Sequence, residues 1–168
     1  MIRTRVKKIR RRREAGAIVV EQSRDFRRAA ALLEAAGCAA DGFDRAGVCT
    51  LLAYDGADAI GVAAVETAID CAVMSCLLVA APRRGRGIGA ALVAAARAAA
   101  HTRGARTLYA FMPLDESRYL ARCDFLPANM EEASAVIAAA FAGGHLPRSR
   151  PGYVAAMLDL SRDGIIER

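Results

Sequence analysis

Histidine is scarce in this chain. Only His101 and His145 occur in 168 residues, and the five cysteines (Cys38, Cys49, Cys71, Cys76, Cys123) are odd in number, scattered and without a C-x-x-C pair. Such a set offers few ligands for a zinc site, so no metal is expected. Long apolar runs are missing too. Much of the 55% hydrophobic fraction is alanine, and no window approaches the roughly 18 strongly apolar residues of a membrane helix. The basic first residues are not followed by an apolar h-region, so no secretory signal is expected. A cytoplasmic location follows as an expectation, with the cysteines reduced and mostly buried.

A chain of this length is expected to form one domain with a sizeable core. The net charge of +6 misleads about its surface: residues 1–16 hold eight Lys or Arg and one acid, and without them 16 basic residues face 17 acidic ones. The boundaries are therefore a basic N-terminal arm at 1–16 and a near-neutral domain at 17–168. A solvated arm, or the product of an upstream start site, is the preferred reading. Nucleic-acid or acidic-membrane binding by the arm is the lesser one.

The pattern along the chain alternates. Strands are predicted at 17–21, 48–54, 59–66, 71–79, 106–111, 125–128 and 153–160. A helix with Phe26, Ala29, Ala30 and Leu33 on one face is expected to be capped by Ser23 and ended by Gly37. A second runs from Gly89 to Arg103, with Ile88, Ala91 or Leu92, Ala95 and Ala99 on its apolar face. Two more fall at 115–123 and 131–144. The strand "CAVMSCLLV" (71–79) is continuously apolar, as a strand covered on both faces would be. The sum is a mixed α/β domain with a sheet of about seven strands.

The stretch "RRGRGIGAALV" (83–93) places glycines and arginines at the mouth of the second helix. A helix's first turn has unpaired N–H groups and a partial positive charge, and phosphate is its natural partner. Glycine lets the backbone approach and take φ > 0, so that successive N–H groups converge on one anion. Arg84 and Arg86 would add bidentate contacts. A P-loop is excluded, because no Lys–Ser/Thr pair follows the glycines. A dinucleotide fingerprint fits literally at Gly85, Gly87 and Ala90, but it should begin at a strand end and be followed by an acid about 20 residues on. Pro82, Arg83 and Arg84 intervene, and "RTLYAF" has no acid.

R-x-x-G-x-G, met by Arg84, Gly87 and Gly89 after an apolar strand, resembles the acetyl-CoA motif of the GNAT superfamily of N-acetyltransferases. "LLVAAPRRGRGIGAALV" (77–93) resembles its strand–loop–helix segment with the proline shifted one place, and "RCDF" after a short helix resembles part of F-Y-x-x-x-G-F. The resemblance implies a mainly antiparallel sheet of about seven strands with flanking helices and a splayed central strand pair. It also implies acetyl-CoA as acetyl donor. Gly85, Arg86, Gly87, Ile88, Gly89 and Ala90, with Arg84, would hold the pyrophosphate. The strand edge at Leu77, Leu78 and Val79 would pair with the pantetheine amides. The amine would attack the acetyl carbonyl directly, with a backbone N–H near Val79 stabilising the oxyanion.

An ammonium is not a nucleophile, so a base is wanted. Glu66, at the end of strand 59–66, is the candidate, with Asp70 behind it. The motif's acid tyrosine is displaced: aligning on Phe125 puts Tyr119 first and Leu120 second, about 100° apart around a helix. Tyr119 thus reads as a core aromatic as readily as an acid, and Asp124 stands where the motif has glycine. The extra helix and the loop "GGHLPRSRPGY" (143–153) resemble the amino-acid, arsenic-resistance and N-acetylglutamate synthase-like branches, with Arg148 and Arg150 pairing with an acceptor carboxylate. The expectation is a small-molecule amine acceptor, an amino acid or analogue. A protein or ribosome-associated acetyltransferase and a non-catalytic acetyl-CoA-binding module are the alternatives. Exposed edge strands also make a homodimer an expectation.

Overall fold

The computed structural model describes residues 17–40, 42–43, 45–141 and 151–161. The basic arm 1–16, Arg148 and Arg150 lie outside the described residues, as does the end of the helix expected at 131–144.

In chain order the elements are β1 (Ile18–Gln22), α1 (Phe26–Ala35), β2 (Val48–Asp55), β3 (Asp58–Thr67), β4 (Cys71–Val79), α2 (Ile88–Thr102), β5 (Thr107–Pro113), α3 (Ser117–Ala121), β6 (Leu126–Ala128), α4 (Met130–Ala140) and β7 (Tyr153–Asp159). Two single turns of 3₁₀-helix, Ala81–Arg83 and Leu114–Glu116, lead out of β4 and β5. The strands form one seven-stranded sheet in the order β1-β2-β3-β4-β5-β7-β6. The first four strands are antiparallel neighbours, β2–β3 and β3–β4 joined by short turns and β1–β2 by α1 and a loop. The β4–β5 pair is parallel, because the chain crosses over through α2 between them. β7 then inserts antiparallel between β5 and β6.

Strand alternation sorts the core into two layers. Leu51, Ala63, Val65 and Met74 face α2, whose Ile88, Leu92, Ala96 and Ala100 seat on them. Leu52, Val62 and Ala64 face α1, with Ala29 and Leu33. Leu92 is fully buried, which is worth roughly 2–3 kcal/mol. The buried stripe of α2 is therefore rotated from the expected one: Ala95 and Ala99 are half-buried and Ala91 is exposed. Larger Leu92 draws its own i±4 row inward. Gly61 on β3 makes that seat close. A Cβ there would lie 3.0 Å from Leu92 Cδ1, 3.1 Å from the Leu78 carbonyl oxygen and 3.4 Å from Ile88 Cγ2.

The caps differ in one place from expectation. Asp25, not Ser23, caps α1, its carboxylate accepting from Arg28 N at 3.3 Å. Ser23 Oγ accepts instead from Asp25 N at 3.1 Å. The helix starts at Phe26, and the cap must be the residue just before it. The cysteines are less uniform than expected: Cys49 and Cys71 are buried, Cys76 and Cys123 half-buried, and Cys38 exposed.

Candidate active site

β4 and β5 share a ladder only from Cys71↔Thr107 to Met74↔Ala110. Beyond it β4 stays with β3, Cys76 to Val79 opposite Ala64 to Gly61, while β5 stays with β7. The divergence coincides with an irregularity. Met74 pairs with Val65 and Cys76 with Ala64, so Ser75 is an extra residue, its hydroxyl donating to the Ala64 carbonyl at 3.5 Å. Such a bulge bends its strand and shifts the alternation by one. Met74, Leu77 and Val79 consequently share the α2 face, while Cys76 and Leu78 join the α1 face. Continuous apolarity had suggested a strand covered along its whole length. Only Cys71–Met74 is buried; Ser75 is exposed and Cys76–Val79 are half-buried, because that half forms the wall of a cleft. The cleft has a volume of about 1080 Å³ and is lined by Met74, Leu77, Val79, Ala110, Met112 and Tyr119 among others.

One end of the cleft meets the mouth of α2. Arg83 Nη1 pairs with Asp55 Oδ2 at 2.6 Å, the two side chains 33% and 19% exposed, which pins the loop after β4 to the β2–β3 turn. Arg84 Nε donates to the Val79 carbonyl at 3.1 Å. Gly85 and Gly87 have φ of +75° and +76°, and a Cβ at either would meet nothing within 4 Å. The space over them is therefore open, while the backbone is one that other residues resist. Gly87 is the residue before α2 and no side chain caps the helix, so the N–H groups of Ile88, Gly89 and Ala90 face the cleft without a side-chain acceptor. Ile88 is buried and contributes only its backbone there. Arg84, Gly85, Gly87, Ile88, Gly89, Ala90, Leu77, Leu78 and Val79 all line the cleft; Arg86 is exposed and does not. An uncapped helix mouth, two left-handed glycines and an adjacent arginine fit a pyrophosphate, and the unpaired edge of β4 fits a chain of amides.

Tyr119 is on the cleft wall rather than in the core, 36% exposed. A Cβ on Gly89 would lie 3.0 Å from Tyr119 Cζ, with the hydroxyl closer still. A side chain at Gly89 would displace the phenol, which rests on the first turn of α2. Burial chiefly, then the neighbouring Cys123, pushes the Tyr119 hydroxyl up to about 12. Leu120, at the motif's tyrosine place, is buried instead. α3 is set by the turn after it: Asp124 takes φ +66°, as expected for a glycine place, and Phe125 N donates to the Leu120 carbonyl at 3.1 Å. Leu120 and Phe125 thus anchor the helix, and the next side chain around it, Tyr119, turns to the cleft.

At the other end Glu66 is half-buried and lines the cleft, its Cα opposite both Val48 and Val73. Asp70 is exposed in the β3–β4 turn and does not line it. The loop between α1 and β2 also reaches the cleft, contributing Cys38, Phe43 and Arg45. Sequence reasoning missed these three, since the only local signal was the pair of loop glycines, Gly42 and Gly47.

Comparison with known proteins bears on this geometry. No curated protein sequence gives a significant match. Among solved structures the chain is similar to N-acetylglutamate synthase from Neisseria gonorrhoeae in complex with coenzyme A and N-acetyl-glutamate, with 21% identity and a TM-score of 0.65. That match covers 88% of this chain and 36% of that one, so the chain spans about a third of the synthase. It is similar to the ribosomal-protein-S18-alanine N-acetyltransferase from Escherichia coli, with 14% identity, a TM-score of 0.65 and coverage of 86% and 94%. It is also similar to an acetyltransferase of the GNAT family from Staphylococcus aureus Mu50, with 10% identity, a TM-score of 0.66 and coverage of 86% and 99%. These identities carry the fold. The sequence itself matches the acetyltransferase (GNAT) family over residues 9–125, most of its length, and the chain belongs to that family of acetyltransferases.

Proposed function

We propose that this protein transfers the acetyl group of acetyl-CoA to the amine of a small acceptor, an amino acid or analogue. The observation that carries the reading is the unpaired edge of β4 running directly into an uncapped helix mouth. The first-turn N–H groups of α2 and Arg84 hold the pyrophosphate, and Leu77–Val79 offer backbone groups to the pantetheine as a neighbouring strand would. N–H groups on the same edge face the place where negative charge develops on the acetyl oxygen. Glu66 receives the proton that the attacking ammonium must lose. Tyr119 keeps its proton at every pH of interest, because its hydroxyl lies at about 12. Full transfer to a thiolate of ordinary basicity, near 8.5, is uphill. Its role is therefore to donate a hydrogen bond to the departing sulfur.

Two measurements test this. Acetyl-CoA at about 100 times its dissociation constant is expected to stabilise the fold by roughly 2.7 kcal/mol. Release of free thiol across a panel of amines is expected to be fastest with amino acids. A melt that responds to a nicotinamide dinucleotide and not to acetyl-CoA would overturn the reading. Turnover confined to the N-terminal amines of peptides would reassign the acceptor.

A further inference from the structure

Glu66 shares the lining of the cleft with Arg45, an exposed residue. Arg45 lies in the loop before β2, and its carbonyl accepts from Val48 N at 3.2 Å. Val48 is the cross-strand partner of Glu66, so one tight turn separates the arginine from the carboxylate's neighbour. Arg45 forms no ion pair with Glu66 or with any other described residue. Its guanidinium is nevertheless held. Nε donates to the Gly42 carbonyl at 3.3 Å, and the group lies flat over Gly42, where a Cβ would come within 2.7 Å of Arg45 Cζ and Nε. A side chain at Gly42, whose φ is +86°, would push the guanidinium from this position. An arginine anchored through Nε presents its two terminal nitrogens as a fork, the geometry that receives a carboxylate. Leu33, Phe43 and Val48 give the same cleft an apolar lining.

Resting on the acetyltransferase reading above, we propose that Arg45 receives the carboxylate of the acceptor while Glu66 faces its amine. The acceptor is then a free amino acid with an apolar side chain, seated on Leu33, Phe43 and Val48, and Arg45 is the residue that selects it. A charge-assisted pair of this kind is worth about 10- to 100-fold in affinity.

Calorimetric titration of the full chain, saturated with coenzyme A, against L-leucine and L-leucinamide tests the proposal. The two probes differ in the carboxylate alone. Leucine is expected to bind at least about tenfold more tightly than leucinamide. Arg45→Met is expected to abolish that preference by weakening leucine and leaving leucinamide unchanged. Gly42→Ala, which keeps the arginine and displaces its guanidinium, is expected to move leucine in the same direction. Equal binding of both probes to the unmodified protein, binding of neither, or equal weakening of both by Arg45→Met would overturn the proposal. Thiol release measured beside the titration separates it from the reading on which it rests. Arg45-dependent leucine binding without thiol release from any amine would leave the carboxylate site standing and sink the transferase reading. Turnover of leucine and leucinamide with equal KM, untouched by Arg45→Met, would do the reverse.

Discussion

The two halves of β4 have nearly the same composition and opposite fates. Cys71–Met74 pairs with a strand on either side and is buried, whereas Cys76–Val79 pairs on one side and lines the cleft. Apolarity cannot distinguish them. One half is apolar because it is core; the other lines the cleft, and in the function proposed above its free edge is where the pantetheine amides would extend the sheet. The difference is made by Ser75, an extra residue that no neighbour on β3 matches, and by the departure of β5 toward β7.

Substitutions on either side of that boundary are expected to fail differently. Glu66 stands opposite Val73, at the end of the doubly paired half, and Glu66→Gln carries the largest expected effect. Turnover should fall by roughly 10²–10⁴-fold near neutral pH with acetyl-CoA affinity little altered. The deficit should shrink as pH rises, since more of the amine arrives without its proton. A raised KM at every pH with an unchanged pH profile would assign Glu66 to positioning alone. Gly87→Val acts at the helix mouth, beyond the cleft-lining half. Its φ of +76° is one that a β-branched residue resists, so acetyl-CoA should bind at least about 100-fold more weakly, roughly 2.8 kcal/mol. The circular dichroism spectrum should hardly change.

A matched pair of truncations sharpens the comparison further. Val73 is 0% exposed, and Val73→Ala should cost about 2 kcal/mol of stability in a denaturant melt while acetyl-CoA affinity stays within about twofold. Val79→Ala, in the half-buried stretch, should cost about 1 kcal/mol or less and show its effect mainly as weaker coenzyme binding. Interchanged outcomes would mean that the halves had been assigned the wrong way round. The smallest effect is expected from Tyr119→Phe, which removes one hydrogen bond worth about 1 kcal/mol, or about fivefold in kcat. Because the hydroxyl lies at about 12, well above its ordinary value, it stays protonated as pH rises from 7 to 10. The ratio of wild-type to variant rates should therefore be flat over that range, and a ratio that collapses near pH 10 would show an unperturbed phenol.

Strand–helix order was legible because each element carries its own period and punctuation, and the helix mouth was legible because Arg84, Gly85, Gly87 and Gly89 fall within six residues. The tyrosine was half legible. Alignment placed its hydroxyl one position off, and only the packing of Leu120 and Phe125 decides that Tyr119 and not Leu120 turns to the cleft. The bulge was hidden, since a strand one residue too long has no local mark. Arg45 was hidden as well: its place on the cleft that Glu66 lines depends on the β2–β3 register, which brings Val48 opposite a residue 18 positions away.

Among the described residues, the ladder that ends at Met74↔Ala110 is also the only strand pairing between β1–β4 and β5–β7–β6. It is parallel, and it joins segments that meet only after the whole of α2 has crossed over, a pairing whose loop-closure cost makes it late to form. The sheet therefore has a seam, and the seam opens onto the cleft. A molecule lying along the free edge of β4 and touching β5 would act as a clasp across it. Amide exchange at Thr107–Ala110 should then slow when coenzyme is bound, and that of β2 and β3 should scarcely respond. In the function proposed above, the seam left where that ladder stops is the place that bound coenzyme would close.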